Sequence, residues 1–222
     1  MMKKMTKAIF FGLLFLIAVL EFLSANYFFG IVLFFLNGFG MVIFEKREAT
    51  RQFYSAIEKL YFCVDYDMFM TKVQFLERNA LVPQVAKPTV QLLVAIGQYH
   101  SGKKEQANAV MRQLTLKGHL NFWKNAYEAM ATQKNICVQN ACVSIVAVPK
   151  RHLNIARQRL DVLKLTTEPK IDKDAISKLR AEVEAHILVA ELSYTLAGLE
   201  SDQRLVDYHL LVAKNLSKKC IL

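Results

Sequence analysis

The sequence predicts an all-α chain, in which an N-terminal helical hairpin is followed by antiparallel helical pairs. Three observations predict it. Residues 8–44 form one apolar block, interrupted only at Glu21, Ser24 and Asn26. Beyond the block, apolar residues recur at helical spacing, and no alternating strand pattern of useful length appears. The four prolines, Pro83, Pro88, Pro149 and Pro169, all fall between periodic stretches.

The apolar block comes first. As one helix, residues 8–44 would run about 55 Å, far beyond a hydrocarbon core about 30 Å thick. Two crossings of about 17–18 residues each fit that thickness, with the polar break at the turn. Residues 1–46 are therefore expected to form a transmembrane hairpin with spans at about 8–24 and 27–44. Lys3, Lys4 and Lys7 precede it, Lys46, Arg47 and Arg51 follow it, and the turn carries no Lys or Arg. Cations collect on the cytoplasmic side, so these six residues are expected at the membrane interface with both termini inside the cell. Gly12, Gly30, Gly38 and Gly40 would let the two helices approach closely. Two alternatives stand beside the hairpin. One is a cleaved signal peptide, for which Leu23 occupies the place of the small residue wanted before Ser24-Ala25. The other is a single span with a re-entrant or interfacial segment.

About 175 residues then remain, enough for one domain with a real core. The whole chain has 29 Lys+Arg against 19 Asp+Glu. Residues 1–44 hold three Lys and one Glu, which leaves 26 against 18, or +8, for the rest. A basic body on the cytoplasmic side faces an anionic leaflet, so the lipid bilayer and its anionic head groups are expected partners. No cationic run interleaved with aromatics appears, so nucleic acid is not expected. Cys63, Cys137, Cys142 and Cys220 make no CxxC pair, and free reduced thiols agree with a cytoplasmic domain. The tail from Cys220 is one residue short of a prenylation box.

Helices in the body are expected near 48–63, 66–79, 89–100, 103–116, 120–133, 136–147, 151–165, 173–198 and 202–217. Pro88 suits a first helical position, where its missing N–H has no partner to lose. Gly118 serves as a stop for the helix ending near Leu116. Asp172 or Asp174 can cap the eighth helix, and Ser201 the ninth. Phe53, Ala56, Ile57, Leu60 and Tyr61 share one face of the first. Val183, Ile187, Ala190, Tyr194 and Ala197 share one face of the eighth.

Two of the pairs are alike in pattern. Phe53, Ile57 and Leu60, a turn at Asp65-Tyr66-Asp67, then Phe69, Val73 and Leu76 form one helix–turn–helix unit. Gln91, Val94, Ala95 and Gln98, a turn at Ser101-Gly102-Lys103-Lys104, then Ala107, Met111 and Leu114 form another. Val64 and Gly102 hold equivalent turn positions about 38 residues apart, near the period of a helical-hairpin repeat. With Ala95 at the helix crossing, Gly102 at the turn and Ala107 early in the second helix, this unit resembles the tetratricopeptide-repeat family. Phe69 and Ile57 stand where that family has small residues. The resemblance implies that residues 47–222 form a cytoplasmic helical-repeat domain. Its pairs would stack as a tetratricopeptide-like solenoid, whose concave side takes a peptide. Lys103, Lys104 and Arg112 would be the cations meeting an acidic peptide there.

Catalytic chemistry has no signature. No GxSxG, phosphate loop or Cys–His partnership appears. His100, His119, His152, His186 and His209 are scattered, and Glu182–His186 at i, i+4 suits an ion pair better than a metal site. Asp65, Asp67, Asp172 and Asp174 suit helix caps, and Phe122, Trp123 and Tyr127 suit core packing. No catalytic, cofactor-binding or metal-ligating residue is expected. The expected function is a membrane-anchored helical-repeat scaffold or adaptor that binds another protein. An accessory subunit of a membrane transport or secretion complex is the first alternative, and a membrane-associated enzyme the second.

Overall fold

The computed structural model describes residues 4–168 and 171–217, so Lys3 and Cys220 lie outside the described residues. All regular elements among them are helical. They are α1 Lys4–Leu23, α2 Tyr27–Phe62, α3 Tyr66–Asn79, α4 Pro83–His100, α5 Lys104–Gln113, α6 His119–Thr132, α7 Asn135–Ser144, α8 Leu153–Thr166, α9 Lys173–Glu182, α10 His186–Leu199 and α11 Gln203–Ser217. Two 3₁₀ turns, Ile145–Ala147 and Lys150–His152, join α7 to α8.

α1 and the first half of α2 lie side by side as a hairpin, and both are long and apolar enough to cross a bilayer. Only 17% of the apolar stretch of α1 and 11% of that of α2 is buried, so neither is a core helix of the body. The turn closes at Asn26, whose N–H donates to the Glu21 carbonyl (3.1 Å) and whose side chain donates to the Glu21 carboxylate (3.0 Å). Of the four glycines, Gly30 alone lies at the helix contact. A Cβ there would come within 3.0 Å of the Ala18 carbonyl and of Phe22. A Cβ at Gly12, Gly38 or Gly40 would meet nothing within 4 Å: Gly12 and Gly38 are exposed, and Gly40 lines a groove between the two helices. Asn37 ties the hairpin together further down by donating to the Phe11 carbonyl (3.1 Å).

α2 does not end where the apolar residues end. It continues unbroken for 36 residues, so the helix expected over 48–63 is its second half. At the junction, Lys7 of α1 pairs with Glu45 of α2 (3.6 Å) and donates to the Asn79 carbonyl (3.3 Å). Glu45 also accepts from the Leu81 N–H (3.2 Å). Lys7 was expected among the solvated flanking cations, yet it is buried, because its ammonium satisfies both a buried carboxylate and a loop carbonyl. The same bonds seat the α3–α4 loop against the foot of the hairpin.

In the body, α2, α4, α6, α8 and α10 pack successively, and α10 packs back on α2. These five helices form an inner ring. α3, α5, α7 and α9 each bridge two consecutive inner helices from outside, and α11 lies on α10. The order of contacts sets direction. Tyr54 of α2 stacks on His152 at the head of α8 (centroids 3.8 Å, planes 4° apart). Seven residues further along both helices, the Tyr61 hydroxyl meets Arg159 (2.7 Å). α6 follows suit, with His119 near Tyr54 (5.5 Å) and Tyr127 at Tyr61 (3.2 Å). Inner helices therefore run alike, with their C-terminal ends away from the hairpin. Closure follows from α10, which reaches both α8 and α2 where an open curved stack would leave its concave face free.

Several expected boundaries move for local reasons. Pro83, not Pro88, takes the first position of α4, and Pro88 lies inside the helix. α5 ends at Gln113, so Gly118 with φ +62 heads α6 instead of stopping α5. Residues 173–198 are two helices. The break at 183–185 is held open by Gln158, whose side-chain oxygen accepts from the Glu184 and Ala185 N–H groups (3.3 and 3.4 Å). Glu182 and His186 therefore never share a helix face. Asp65 and Asp172 cap α3 and α9, while Asp202, not Ser201, accepts at the head of α11. Val64 and Gly102 both have positive φ, +48 and +84. Gly30→Leu should destabilise the hairpin by about 1–3 kcal/mol through overpacking, and Gly38→Leu by less than about 0.5 kcal/mol. Thermal unfolding of the two purified proteins in detergent measures the difference.

Candidate functional site

Each inner helix contributes one polar group to a chain of bonds through the middle of the ring. Arg159 of α8 is fully buried and forks onto Glu191 of α10, with Nη1 on Oε2 and Nη2 on Oε1 (2.9 Å). Its Nε donates to the Tyr61 hydroxyl of α2 (2.7 Å). The Tyr61 and Tyr127 hydroxyls are 3.2 Å apart, and the Tyr127 hydroxyl lies 2.8 Å from His100 Nε2 of α4. Arginine only donates, so the Tyr61 hydroxyl accepts from Arg159. Either hydroxyl can donate in the Tyr61–Tyr127 bond, and the direction of the Tyr127–His100 bond follows the His100 tautomer. His100 Nδ1 is buried with no partner among the described residues.

Local sequence explains why these side chains point inward. Arg159 lies on the same face of α8 as Ile155, Ala156, Leu160 and Leu163, all buried. Tyr61 ends the apolar face of α2, and Tyr127 continues that of Phe122, Trp123 and Ala126. Arg159, Tyr61, Tyr127 and His100 are sealed from water, so the electrostatics are strong, while Glu191 reaches the surface. Burial pulls the Arg159 guanidinium down, but Glu191 and the tyrosines together hold it well above its ordinary value. Burial raises Tyr61 and Tyr127, so both stay protonated donors. Burial, with Arg159 and Lys104 nearby, lowers His100 to about 3.

Above this chain a cleft of about 190 Å³ opens at the C-terminal ends of α4, α6 and α8. Its walls include Tyr99, Lys104, Gln133, Thr166, Thr167 and Tyr194, with Arg159 and Glu191 as its floor. The Lys104 ammonium lies 5.4 Å from the centre of the Tyr99 ring. Lys104 lies at the cleft, whereas Lys103 and Arg112 are exposed outside it. Tyr194 was placed on the buried face of its helix, yet it is 56% exposed at the mouth. The rest of that face, Val183, Ile187, Ala190 and Ala197, is buried, and Tyr194 lines the cleft together with Glu191.

A second polar group lies toward the hairpin. Lys46, Arg47, Thr50 and Arg51 on α2 and Arg151 from the 3₁₀ turn before α8 line a cavity of about 470 Å³. Lys4 and Lys7 are not part of it, and Lys7 is held by Glu45. Among the described residues no group of three His, Cys, Asp or Glu side chains could hold a metal ion. Cys63, Cys137 and Cys142 are free thiols. The glutamate, arginine and tyrosines of the buried chain are invisible to motif search. Their one signal is a charged residue on an apolar helix face, at Arg159 and again at Glu191.

Two outcomes follow. Glu191→Gln leaves a buried guanidinium without its counter-charge and should destabilise by about 3 kcal/mol, whereas Arg159→Met with Glu191→Leu should recover most of that loss. Urea unfolding of both proteins decides it. His100 takes up a proton near pH 6.5 when unfolded but only near 3 when folded. Stability is thus full above pH 6.5 and falls as pH drops toward 3, by about 2 kcal/mol at pH 5 from this group. His100→Gln should flatten the difference in unfolding free energy between pH 7 and pH 5 by that amount. His119, lowered to about 4 by burial and by His152, adds to the slope in both proteins.

No family model, curated protein or solved structure matches this chain.

Proposed function

We propose that the chain is held in the cell membrane by α1 and the first half of α2, with both termini cytoplasmic. There it acts as an adaptor that positions a partner protein at a fixed height above the bilayer. Lys and Arg on both outer flanks, and none in the turn, support that orientation. The observation that carries the reading is the continuity of α2. From Phe44, the last apolar residue, to Tyr61, which accepts from Arg159 beneath the cleft, one helix runs about 25 Å. Cleft and hairpin are thereby fixed at opposite ends of the ring.

The size of the cleft selects the kind of ligand. About 190 Å³ is below the 300–1,000 Å³ of small-molecule pockets and suits one or two side chains of a docked segment. Lys104 is the cation at its mouth whose charge has no carboxylate partner among the described residues, so an acidic side chain fits there. Both Glu191 oxygens are taken by Arg159, and no second carboxylate lines the cleft, so the buried chain reads as structural instead of catalytic. A second reading, an accessory subunit of a membrane transport or secretion complex, draws on Gly12 and Gly38. These leave flat outward places on the hairpin for a neighbouring helix.

A photo-crosslinking amino acid at Tyr194, irradiated in intact cells, should give one discrete protein adduct. Lys104→Glu should abolish it, and the same probe at Val146, exposed in the 3₁₀ turn after α7, should give none. An adduct from Gly38 with none from Tyr194 would favour the second reading.

A further inference from the structure

The cationic cavity at the foot of the ring has the composition, depth and rigidity of an anion site. Lys46, Arg47 and Arg51 project from consecutive turns of α2, and Arg151 reaches the same cavity from about a hundred residues away in sequence. Four like charges repel one another, so their convergence needs a counter-charge. Protein supplies only part of one. Glu48 pairs with Arg51 (2.8 Å) and also accepts from Gln52 (2.9 Å). Lys46, Arg47 and Arg151 form no ion pair among the described residues. Three positive charges around one cavity remain uncompensated.

Arg151 is not there by accident of a loose loop. Its neighbour His152 stacks face to face on Tyr54, and His152 Nδ1 lies 3.3 Å from a Glu58 oxygen. Both anchors belong to α2, the helix that carries the other three cations. The turn is thus pinned to α2 one residue away from Arg151, which keeps the fourth cation beside the other three.

Depth identifies the anion. On the membrane reading above, on which this inference rests, the hydrocarbon edge lies at Phe44. Lys46 is then about 3 Å beyond the edge and Arg51 about 10 Å, along the helix axis. The head-group layer on one side of a bilayer is about 5–8 Å thick. Lys46 and Arg47 therefore fall within the layer where lipid phosphates lie, and Arg51 falls just beyond its outer border. The geometry points to a binding site for the phosphate of an anionic phospholipid in the cytoplasmic leaflet, built from Lys46, Arg47, Arg51 and Arg151. Thr50, in the same wall, can donate its hydroxyl to a phosphate oxygen, although it now donates to the Lys46 carbonyl (2.9 Å). Arginine fits the role because its planar fork matches phosphate oxygens in pairs.

Native mass spectrometry of the full chain in detergent micelles tests this. Phosphatidylglycerol and phosphatidylcholine of matched acyl chains are supplied in equal amounts. The wild type should retain phosphatidylglycerol preferentially. Arg151→Gln should reduce the preference by about fivefold, the worth of one interfacial cation, and Arg47→Gln with Arg151→Gln should reduce it further toward parity. Arg151→Lys should keep most of it, and Arg112→Gln, on exposed α5, should leave it unchanged. Arg151 is exposed, so its replacement does not threaten the fold. An unchanged preference in Arg151→Gln overturns the site. Displacement of the lipid by millimolar inorganic phosphate overturns the lipid assignment in favour of a soluble phosphate. A reporter fused to the C-terminus is read separately in cells. If it reports the exterior, the membrane orientation fails, and the micelle measurement still says whether the cavity binds the lipid.

Discussion

A guanidinium sealed from water cannot be left without its partners, and Arg159 sets the terms for the rest of the ring. Removing such a charge from water is expensive unless a counter-charge and further hydrogen bonds meet it in good geometry. Here they come from four other helices. Glu191 supplies the counter-charge, Tyr61 accepts the remaining N–H, and Tyr127 and His100 complete the chain. Apolar faces alone would tolerate one helix sliding along another. A directional chain through five helices does not, since a shift of one turn at any of them orphans two buried groups. Burial supplies most of the stability, and the polar chain supplies the register.

The two ends of the ring differ in kind because the inner helices run alike. At one end are the foot of the hairpin, the Lys7–Glu45 pair and the cationic cavity. At the other are the carbonyl ends of α4, α6 and α8 and the cleft they frame. Negative partial charge collects at such helix ends, which complements Lys104 and the Arg159 side of the floor. Separation of the two ends is the work of α2, which contributes Thr50 to one, Tyr61 to the other and Tyr54 to the stack between them.

Helical content and the apolar hairpin were legible because both rest on periodicity, which a sequence displays directly. Asp65 and Asp172 were legible as caps for the same reason, since a side chain three residues before a run is a local matter. Closure of the pairs into a ring was not. It depends on α10 returning to α2 across more than a hundred residues, and no local pattern encodes that. The break at 183–185 was missed because its cause is Gln158, a residue on another helix. The glycines of the hairpin show the same limit: four positions permit close approach, and only the neighbour's position decides that Gly30 is the one used. Arg159 and Glu191 belong to no local motif, and only the pairing across helices reveals what they do.

One rigid rod shared between hairpin and ring has a mechanical consequence. A helix without a hinge at Glu45–Lys46 passes rotation from one half to the other undiminished. In a bilayer that thins or thickens, apolar helices respond by changing tilt. A tilt of about 10° in α2, acting over the 25 Å arm, would sweep the floor of the cleft sideways by about 4 Å. Lateral reach would then track lipid thickness, with no ligand and no internal rearrangement of the body.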